Sequence, residues 1–279
     1  AAAASIQILD EDLCPRYSGL LVRGLKVGPS PDWLRKRLEA VGLNSVNNLV
    51  DVTNYVLCAT AHPIHAFDWA KIGGGTIVVR RAKKGESLRI LDGREVALGA
   101  DHLVIADESR PVALAGVIGG GASGVTDATR DVFIESACFE PVSVRKTARS
   151  LGIQTDASYR FERGADIGFP PRAALMAASL LTRLGGQATR GVLDVYPHPR
   201  KSRIVMLRHQ RTQDFLGAAV EAAVIERILA ALGFGCEPQG PGLWKVEVPS
   251  FRVDVEREAD VVEEIARFFG YDRIPAVAT

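Results

Sequence analysis

The sequence lacks the features that would place the chain in a membrane, in an oxidising compartment or on nucleic acid through charge alone. It has no apolar run near the roughly 20 residues that a transmembrane helix needs and no basic start followed by an apolar core. Its four cysteines lie far apart without a C-x-x-C pair, which argues against a zinc knuckle and favours reduced thiols in the cytoplasm. Lys and Arg number 34 against 33 Asp and Glu, so any RNA contact must be local.

The composition that remains is that of an ordinary globular protein. Hydrophobic residues make up 47% and charged residues 24% of 279 positions, enough chain for two domains with separate cores. The proline-bearing basic stretch 197–202 has the character of a linker. We therefore expect one domain over residues 1–199 and a second over residues 200–279.

In the first domain, strand-like runs alternate with glycine-rich loops. The runs predicted as strands are 18–27, 76–81, 102–106 and 132–135. Helices are predicted over residues 31–40, with Ser30 as the N-cap, and over residues 171–184. The expected fold class is α+β with a mixed, mostly antiparallel sheet.

The second domain reads as a small α+β unit. Helices are predicted over residues 211–217, 220–232 and 256–269, and strands over residues 204–207 and 244–248. This is the size of a winged-helix-like domain. The segment has no basic recognition helix, so we expect a subunit contact and no DNA partner.

Polar residues are densest around a short apolar run at residues 55–59. Two aspartates, two histidines, a threonine and an asparagine lie within residues 51–56 and 62–68. Because buried polar groups need a partner or a ligand, this density predicts a pocket. The pair His62 and His65 raises the possibility of metal, but Pro63 between them and the lack of nearby cysteine pairs argue against zinc.

Several longer motifs carry a family resemblance. They are VDVTNYV (50–56), PIHAFD (63–68), AGVIGG (115–120), RKTAR (145–149), TDASYRFERG (155–164), PSFRVD (249–254), DVVEEIAR (260–267) and GYDRIP (270–275). Together and in this order they resemble the β subunit of bacterial phenylalanyl-tRNA synthetase. A full β subunit is much longer, so the chain resembles its central piece: the editing module and the small domain after it.

The resemblance implies hydrolysis of tyrosine wrongly attached to the phenylalanine tRNA. A synthetic pocket shaped for phenylalanine cannot strongly reject an isostere that adds a hydroxyl, so a second site must select the hydroxyl. Glu135 matches the family position that accepts it, and a carboxylate is an acceptor-only group. The alternative is that Glu135 ends a strand and meets solvent or an arginine.

His65 and Asn54 match other polar positions of the same family pocket. Imidazole is suited to orienting or deprotonating water near neutral pH, and Asn54 would position water or the substrate's ammonium group. The alternatives are a core histidine donating to a backbone carbonyl and an Asx-type turn. His62 falls where relatives usually have glutamine, so we interpret it as a neighbour of the base.

Three small residues complete the pocket that the resemblance implies. The lack of a side chain at Gly116 would let the backbone approach a ligand closely, although glycine runs also serve turns. Thr155 and Ala157 correspond to residues that line the aryl pocket, so a bulky residue at position 157 would fill it. Asn44 departs from the arginine of some bacterial relatives and cannot supply a bidentate charged contact.

A basic cluster with aromatic neighbours is the candidate RNA contact. Its members are Arg145, Lys146, Arg149, Arg160 and Arg163, beside Tyr159 and Phe161. Local charge of this kind suits the acceptor stem or the terminal adenosine. The alternative is surface charge that pairs with Asp156 and Glu162.

Four carboxylates of the second domain match the family's magnesium positions at the contact with the catalytic α subunit: Asp254, Asp260, Glu263 and Glu264. Hard carboxylate oxygens suit Mg²⁺, although acidic residues early in a helix also complement its dipole. In this family the α subunit performs ATP-dependent aminoacylation within a heterotetramer of two α and two β subunits.

Two other functions remain open from the sequence. One is a non-catalytic tRNA-binding or assembly module with a vestigial pocket. The other is an autonomous deacylase that acts in trans, which the continuous match into the second domain makes less favourable.

Overall fold

The computed structural model of the chain describes residues 4–275. Its contacts divide the chain into two compact units, Ala1–His198 and Pro199–Thr279. The division lies one residue before the boundary expected from the sequence. Within residues 4–275, each helix is too short or too polar to cross a membrane.

The first unit combines helices with short strands. Its helices are α1 (Asp32–Ala40), α2 (Asn48–Thr60), α3 (Pro141–Leu151), α4 (Asp156–Phe161) and α5 (Pro170–Arg183). Its strands are β1 (Ser5–Ile8), β2 (Arg16–Arg23), β3 (Ile64–Asp68), β4 (Thr76–Arg81), β5 (Ser87–Arg89), β6 (Glu95–Ala97), β7 (Leu103–Ala106), β8 (Pro111–Leu114), β9 (Ile118–Gly119), β10 (Val132–Cys138), β11 (Gln187–Ala188) and β12 (Leu193–Val195).

These strands form two main sheets and a small hairpin of β5 with β6. The first sheet has the order β1-β4-β7-β8-β9, in which β1 and β4 are parallel and the other pairs antiparallel. The second has the order β11-β2-β10-β3, is antiparallel, and also pairs β12 with β2. The α+β expectation with mixed, mostly antiparallel sheet is confirmed.

The second sheet has a different core on each face. Ala66 and Ile134 point to the face covered by the helices, where they join one apolar cluster with Leu49 of α2 and residues of α5. Phe67 and Phe133 point to the other face and cluster with residues of the first sheet. Because side chains alternate along a strand, Glu135 and His65 must share the face with Phe133 and Phe67.

The sequence predicts a pocket around the polar segment 51–68, but much of this segment is helical. Residues 48–60 form α2, and the Asn47 side chain accepts hydrogen bonds from the first turn of the helix. Asp51 is fully buried and accepts hydrogen bonds from Ser30, Ser45 and the backbone N–H of Val46. Ser30 as the N-cap of α1 is therefore wrong, because its hydroxyl donates to Asp51 while Pro31 occupies the cap position.

The second unit contains the helices and small sheet that the sequence predicts. Its helices are α6 (His209–Leu216), α7 (Ala222–Ala231) and α8 (Glu258–Phe269), and its strands are β13 (Arg203–Arg208), β14 (Gly235–Gly240) and β15 (Leu243–Val248). The sheet is antiparallel with the order β13-β15-β14. Leu207, Ile225, Val246 and Ile265 are fully buried, so helices and sheet enclose one core.

Candidate functional site

A pocket of about 370 Å³, counted to its open mouth, lies on the face of the second sheet that carries His65 and Glu135. Leu114 from β8, Gly119 from β9 and Ala157 from α4 contribute to its walls, and the remaining lining residues are apolar. A mostly apolar pocket with two polar groups is suited to an aromatic ligand that carries one polar substituent.

Glu135 lies in the middle of β10 and is only 6% exposed. Its Oε2 accepts a hydrogen bond of 2.8 Å from the hydroxyl of Tyr17. Burial raises the pKa of this carboxyl to about 8, and the Tyr17 bond offsets part of that rise. The structure thus excludes the interpretation of Glu135 as a strand end that meets solvent or an arginine.

His65 is the partner of Glu135 across the antiparallel pair β3 and β10. Its Nε2 is buried and has no hydrogen-bond partner within the described part of the chain. Burial lowers the pKa of the imidazole to about 4, so the ring is neutral at physiological pH. The alternative of a core histidine donating from Nε2 to a backbone carbonyl is absent among residues 4–275. A buried ring nitrogen without a partner in the protein needs one from elsewhere, such as a water or a ligand.

Two glycines shape the wall beside His65. A Cβ at Gly119 would lie 2.6 Å from Cε1 and 2.8 Å from Nε2 of His65, so the ring occupies the space that a side chain would take. Gly116 has a φ of +68°, and its Cβ would meet the Phe139 ring at 2.8 Å. Gly116 therefore lines the pocket with backbone and is required by the core behind it. Sequence reasoning missed Gly119, although it lies in the same glycine run.

Of the two small residues assigned to the aryl pocket, the structure brings one to the wall. Ala157 lines the pocket, one turn before Phe161, which also lines it. Thr155 lies outside the lining and caps α4. Its hydroxyl donates a 2.8 Å hydrogen bond to the carbonyl of Val117, which is a lining residue. Thr155 therefore fastens α4 to the pocket wall.

Three other predicted or neighbouring positions lie outside the lining of the pocket. Asn54 is half-buried on α2, and Asn44 is exposed in the loop before it. His62 is only 3% exposed, packs against the rings of Phe161 and Phe169, and has a pKa lowered to about 4 by burial. The structure thus separates His62 and Asn54 from the His65 and Glu135 pair.

The basic cluster divides into paired and free side chains. Arg160 binds Asp156 at 2.8 Å, and Arg163 binds Glu162 at 2.6 Å while covering the ring of Tyr159. These two arginines therefore form the ion pairs that were the alternative to an RNA contact. The other members are exposed on α3 and have no ion pair among residues 4–275: Arg145, Lys146 and Arg149.

The carboxylates expected to bind magnesium are engaged with the protein itself. Asp254 receives two hydrogen bonds from Arg252, of 2.9 and 2.7 Å. Glu264 is 6% exposed and is bound by Arg252 at 2.8 Å and by Arg267 at 2.5 Å. The Asp260 side chain accepts from the backbone N–H groups of residues 256 and 257, at the start of α8.

This arrangement does not fit a magnesium ion. Glu263 is exposed, and no group of three or more His, Cys, Asp or Glu residues is placed to hold a metal in the part of the chain that the structure describes. Two arginine guanidinium groups at Glu264 already supply the positive charge that a cation would bring. Asp260 acts here as a helix cap, and Asp254 and Glu264 belong to an ion-pair network.

Replacing Arg252 with methionine should destabilise the second unit by about 1–3 kcal/mol, because it removes one of the two partners of the buried Glu264 carboxylate. Native-state hydrogen exchange of the α8 amides measures this locally. Glu263→Gln, at an exposed carboxylate of the same helix, is the matched control and should change little. Adding Glu264→Gln to the Arg252 variant should restore part of the loss, and protection equal to wild type in Arg252→Met would contradict the assignment.

Comparison with known proteins agrees with this architecture. Residues 13–186 match the model of the B3/4 domain, and residues 205–271 match that of the tRNA synthetase B5 domain. The phenylalanine--tRNA ligase beta subunit of Geobacter sulfurreducens is 48% identical over 97% of the chain, and that of Bdellovibrio bacteriovorus is 48% identical over 95%. The chain spans about a third of the length of these relatives, 34% and 32%.

Among solved structures, an N-terminal fragment of the phenylalanyl-tRNA synthetase beta subunit from Pyrococcus horikoshii matches 95% of the chain and 74% of its own length. Its TM-score is 0.44 and its sequence identity 14%. The B3/4 model covers more than half of the chain and includes the whole pocket. The chain therefore belongs to the B3/4 domain family, matches the B5 domain model over residues 205–271, and is similar to part of the phenylalanine--tRNA ligase beta subunit.

Proposed function

We propose that the first unit hydrolyses the ester of tyrosine wrongly attached to the phenylalanine tRNA. The observation that carries the proposal is the buried Glu135 carboxyl in a pocket that is otherwise apolar apart from His65. Such a pocket accepts an aromatic ring and offers an acceptor for one hydroxyl. The membership in the B3/4 family supports the same activity.

Selection of tyrosine follows from the cost of leaving Glu135 without a ligand partner. A phenol can donate to the free oxygen of the carboxyl, whereas a phenylalanine ring would bury that oxygen unpaired. An unsatisfied buried acceptor costs about 1–3 kcal/mol, and more when it is charged. The site therefore rejects the correct product and retains the incorrect one, as a second sieve requires.

His65 is the group that we assign to the attacking water. Its neutral ring lines the pocket next to Glu135, and its buried Nε2 has no partner among the described residues. With a pKa lowered to about 4, the ring is a weak base but remains a hydrogen-bond acceptor down to acidic pH. We therefore assign it chiefly to orienting water towards the ester, and not to acting as a general base.

The tRNA would be held by local positive charge. Arg145, Lys146 and Arg149 form an exposed basic face on α3 without partners among the described residues, and phosphate contacts require only such local charge. Aminoacylation with ATP and Mg²⁺ would belong to the longer cytoplasmic ligase, through an α subunit in a heterotetramer of two α and two β subunits. The second unit would then serve the contact between subunits.

The deciding experiment compares release of tyrosine and of phenylalanine from the phenylalanine tRNA by the full chain. His65→Ala should slow tyrosine release by about 10²–10⁴-fold, the usual contribution of such a group. Glu135→Ala should remove most of the preference for tyrosine, which in sites built on a buried polar group reaches roughly 10⁴. His198→Ala, at an exposed histidine, is the matched control.

Equal loss of the ester from the wild type, both variants and a blank would reject the catalytic assignment. If the chain then still binds tRNA, it is a binding module with a vestigial pocket. Hydrolysis by the chain alone at the rate that the whole ligase reaches would instead support a deacylase that acts in trans.

A further inference from the structure

Tyr17 is a fully buried phenol of β2 that the proposed reaction does not yet use. Its hydroxyl donates to Oε2 of Glu135 at 2.8 Å, from a position 118 residues earlier in the chain. Within residues 4–275 it is the only hydrogen-bond donor to this carboxyl. The second oxygen, Oε1, receives no hydrogen bond from the same part of the chain.

The register of β2 against β10 explains how Tyr17 reaches Glu135. Gly19 is directly opposite Glu135, and Tyr17 is opposite Ala137. Tyr17 is therefore the diagonal neighbour of Glu135 on the same face, within reach of an aromatic side chain. Because Gly19 has no side chain, the ring of Phe133 lies over it, 2.3 Å from where a Cβ would be. The tyrosine and the carboxyl are thus held by the register of the sheet.

Among residues 4–275, no positive charge compensates Glu135. The titratable groups that face it are Tyr17 and Cys14 from the side of β2 and the neutral His65 from β3. The pocket walls contributed by β7, β8 and α4 are apolar: Ile105, Ala113, Leu114, Ala157 and Phe161. The ionised form of the carboxyl therefore depends on hydrogen-bond donors alone.

We propose that Tyr17 is a positioning residue for the selection of tyrosine: it fixes Oε2 of Glu135 and leaves Oε1 to the phenol of the ligand. This inference rests on the proposed function and adds a specific residue to it. The bound carboxylate would receive one phenol from the chain and one from the ligand. Two such donors stabilise the charge, since hydrogen bonds to an ionised acceptor are about twice as strong as neutral ones.

A proton must then leave the site when tyrosine binds below the pKa of Glu135. In the free chain burial raises this pKa to about 8, and the donor at Tyr17 lowers it relative to burial alone. The ligand phenol lowers it further, so the affinity for tyrosine should rise as the pH increases towards 8 and level off above it. Phenylalanine supplies no donor and should lack this increase.

The test measures binding of L-tyrosine and L-phenylalanine to the full chain by calorimetry between pH 6 and 9. The ratio of the two affinities cancels the titration of their shared α-amino group. Tyr17→Phe should reduce the ratio by about tenfold near pH 8 and move the midpoint of its pH dependence upwards. Hydrolysis should show the loss in KM, with kcat nearly retained, because His65 is unchanged. Tyr55→Phe is the matched control, since the Tyr55 hydroxyl binds Arg37 outside the pocket.

Two results would overturn the inference in distinguishable ways. A wild-type chain that prefers tyrosine, together with an unchanged ratio and midpoint in Tyr17→Phe, would reject the role of Tyr17 alone. A wild-type chain with no preference for tyrosine would reject the proposed function and this inference together. In a Glu135→Gln background, Tyr17→Phe should no longer move any midpoint, and an equal shift there would assign the effect elsewhere.

If Tyr17→Phe does not fold, infrared spectroscopy of the wild type tests the inference. The infrared band of the protonated Glu135 carboxyl, identified by its loss in Glu135→Gln, should disappear on binding L-tyrosine at pH 7 and persist with L-phenylalanine. Persistence of the band with both amino acids would overturn the inference.

Discussion

Replacing Gly119 with alanine should slow the release of tyrosine from the tRNA by about 10²–10⁴-fold, the contribution expected of the histidine it would displace. The new Cβ would lie 2.6 Å from Cε1 of His65, closer than real Cβ contacts allow. The φ angle of Gly119 is outside the left-handed region, so alanine is compatible with the backbone there. The damage should therefore fall on the position of the imidazole and not on the strand.

The measurement is the single-turnover rate of tyrosine release, with thermal unfolding recorded on the same samples. Gly121→Ala is the matched control, because its Cβ would meet its nearest atom at an ordinary 3.4 Å. We expect the rate to fall in Gly119→Ala alone, with little change in the unfolding temperature of either variant. A wild-type rate in Gly119→Ala, or an equal loss in Gly121→Ala, would exclude His65 as the group that acts on the water.

Strands with a strong local pattern could be predicted from the sequence, whereas the helices α2, α3 and α4 were not. Thr76–Arg81 forms as predicted, and the strand predicted at 132–135 continues to Cys138. The segment Asn48–Thr60 contains five β-branched residues and has low intrinsic helix propensity. It becomes α2 because Asn47 caps it and because Val52 and Val56 are buried in the cluster shared with α5. Tertiary packing, and not local helix propensity, therefore determines that this segment is a helix.

The density of polar residues at 51–68 indicated the region of the pocket, but most of these polar groups bind other parts of the protein. Asp51 serves the loop before α2, and Asp68 accepts a hydrogen bond from Thr129. Only His65 among these polar residues lines the pocket. Buried polar groups require partners, and in most cases here the protein supplies them.

The two residues that sequence reasoning missed depend on register. Tyr17 acts on Glu135 across β2 and β10, and Gly119 acts on His65 across two different sheets. Neither relation leaves a local signal, because a tyrosine in a strand and a glycine in a glycine run have common structural uses. His65 and Glu135 were identifiable through the family motifs, whereas their supporting residues required the pairing of the strands.

Replacing Glu135 with glutamine should stabilise the first unit at alkaline pH while it removes tyrosine selection. The pKa of the carboxyl is raised from 4.5 to about 8 by burial. Between these values the folded chain retains a proton that the unfolded chain has lost, so the stability from this group falls as the pH rises through that window. At 1.36 kcal/mol per pKa unit, the total is on the order of 5 kcal/mol.

The two buried histidines decide where this effect can be measured. The pKa values of His62 and His65 are lowered from 6.5 to about 4, so their contribution to stability increases as the pH rises to about 6.5 and opposes that of Glu135. Between about pH 6.5 and 8, the Glu135 slope stands alone among these three groups. The difference between wild type and Glu135→Gln in urea unfolding should change there by about 1.4 kcal/mol per pH unit.

Glu108→Gln, at an exposed carboxylate of the same unit, should give a difference that does not vary with pH in this window. Parallel curves for the wild type and Glu135→Gln would mean that Glu135 titrates as an ordinary carboxylate and needs no donor to be charged. If the slope is found, the group that selects the phenol is also one that opposes folding as the pH rises. A ligand phenol that stabilises the charged form should then reduce the slope, so stability measured with and without L-tyrosine reports the selection directly.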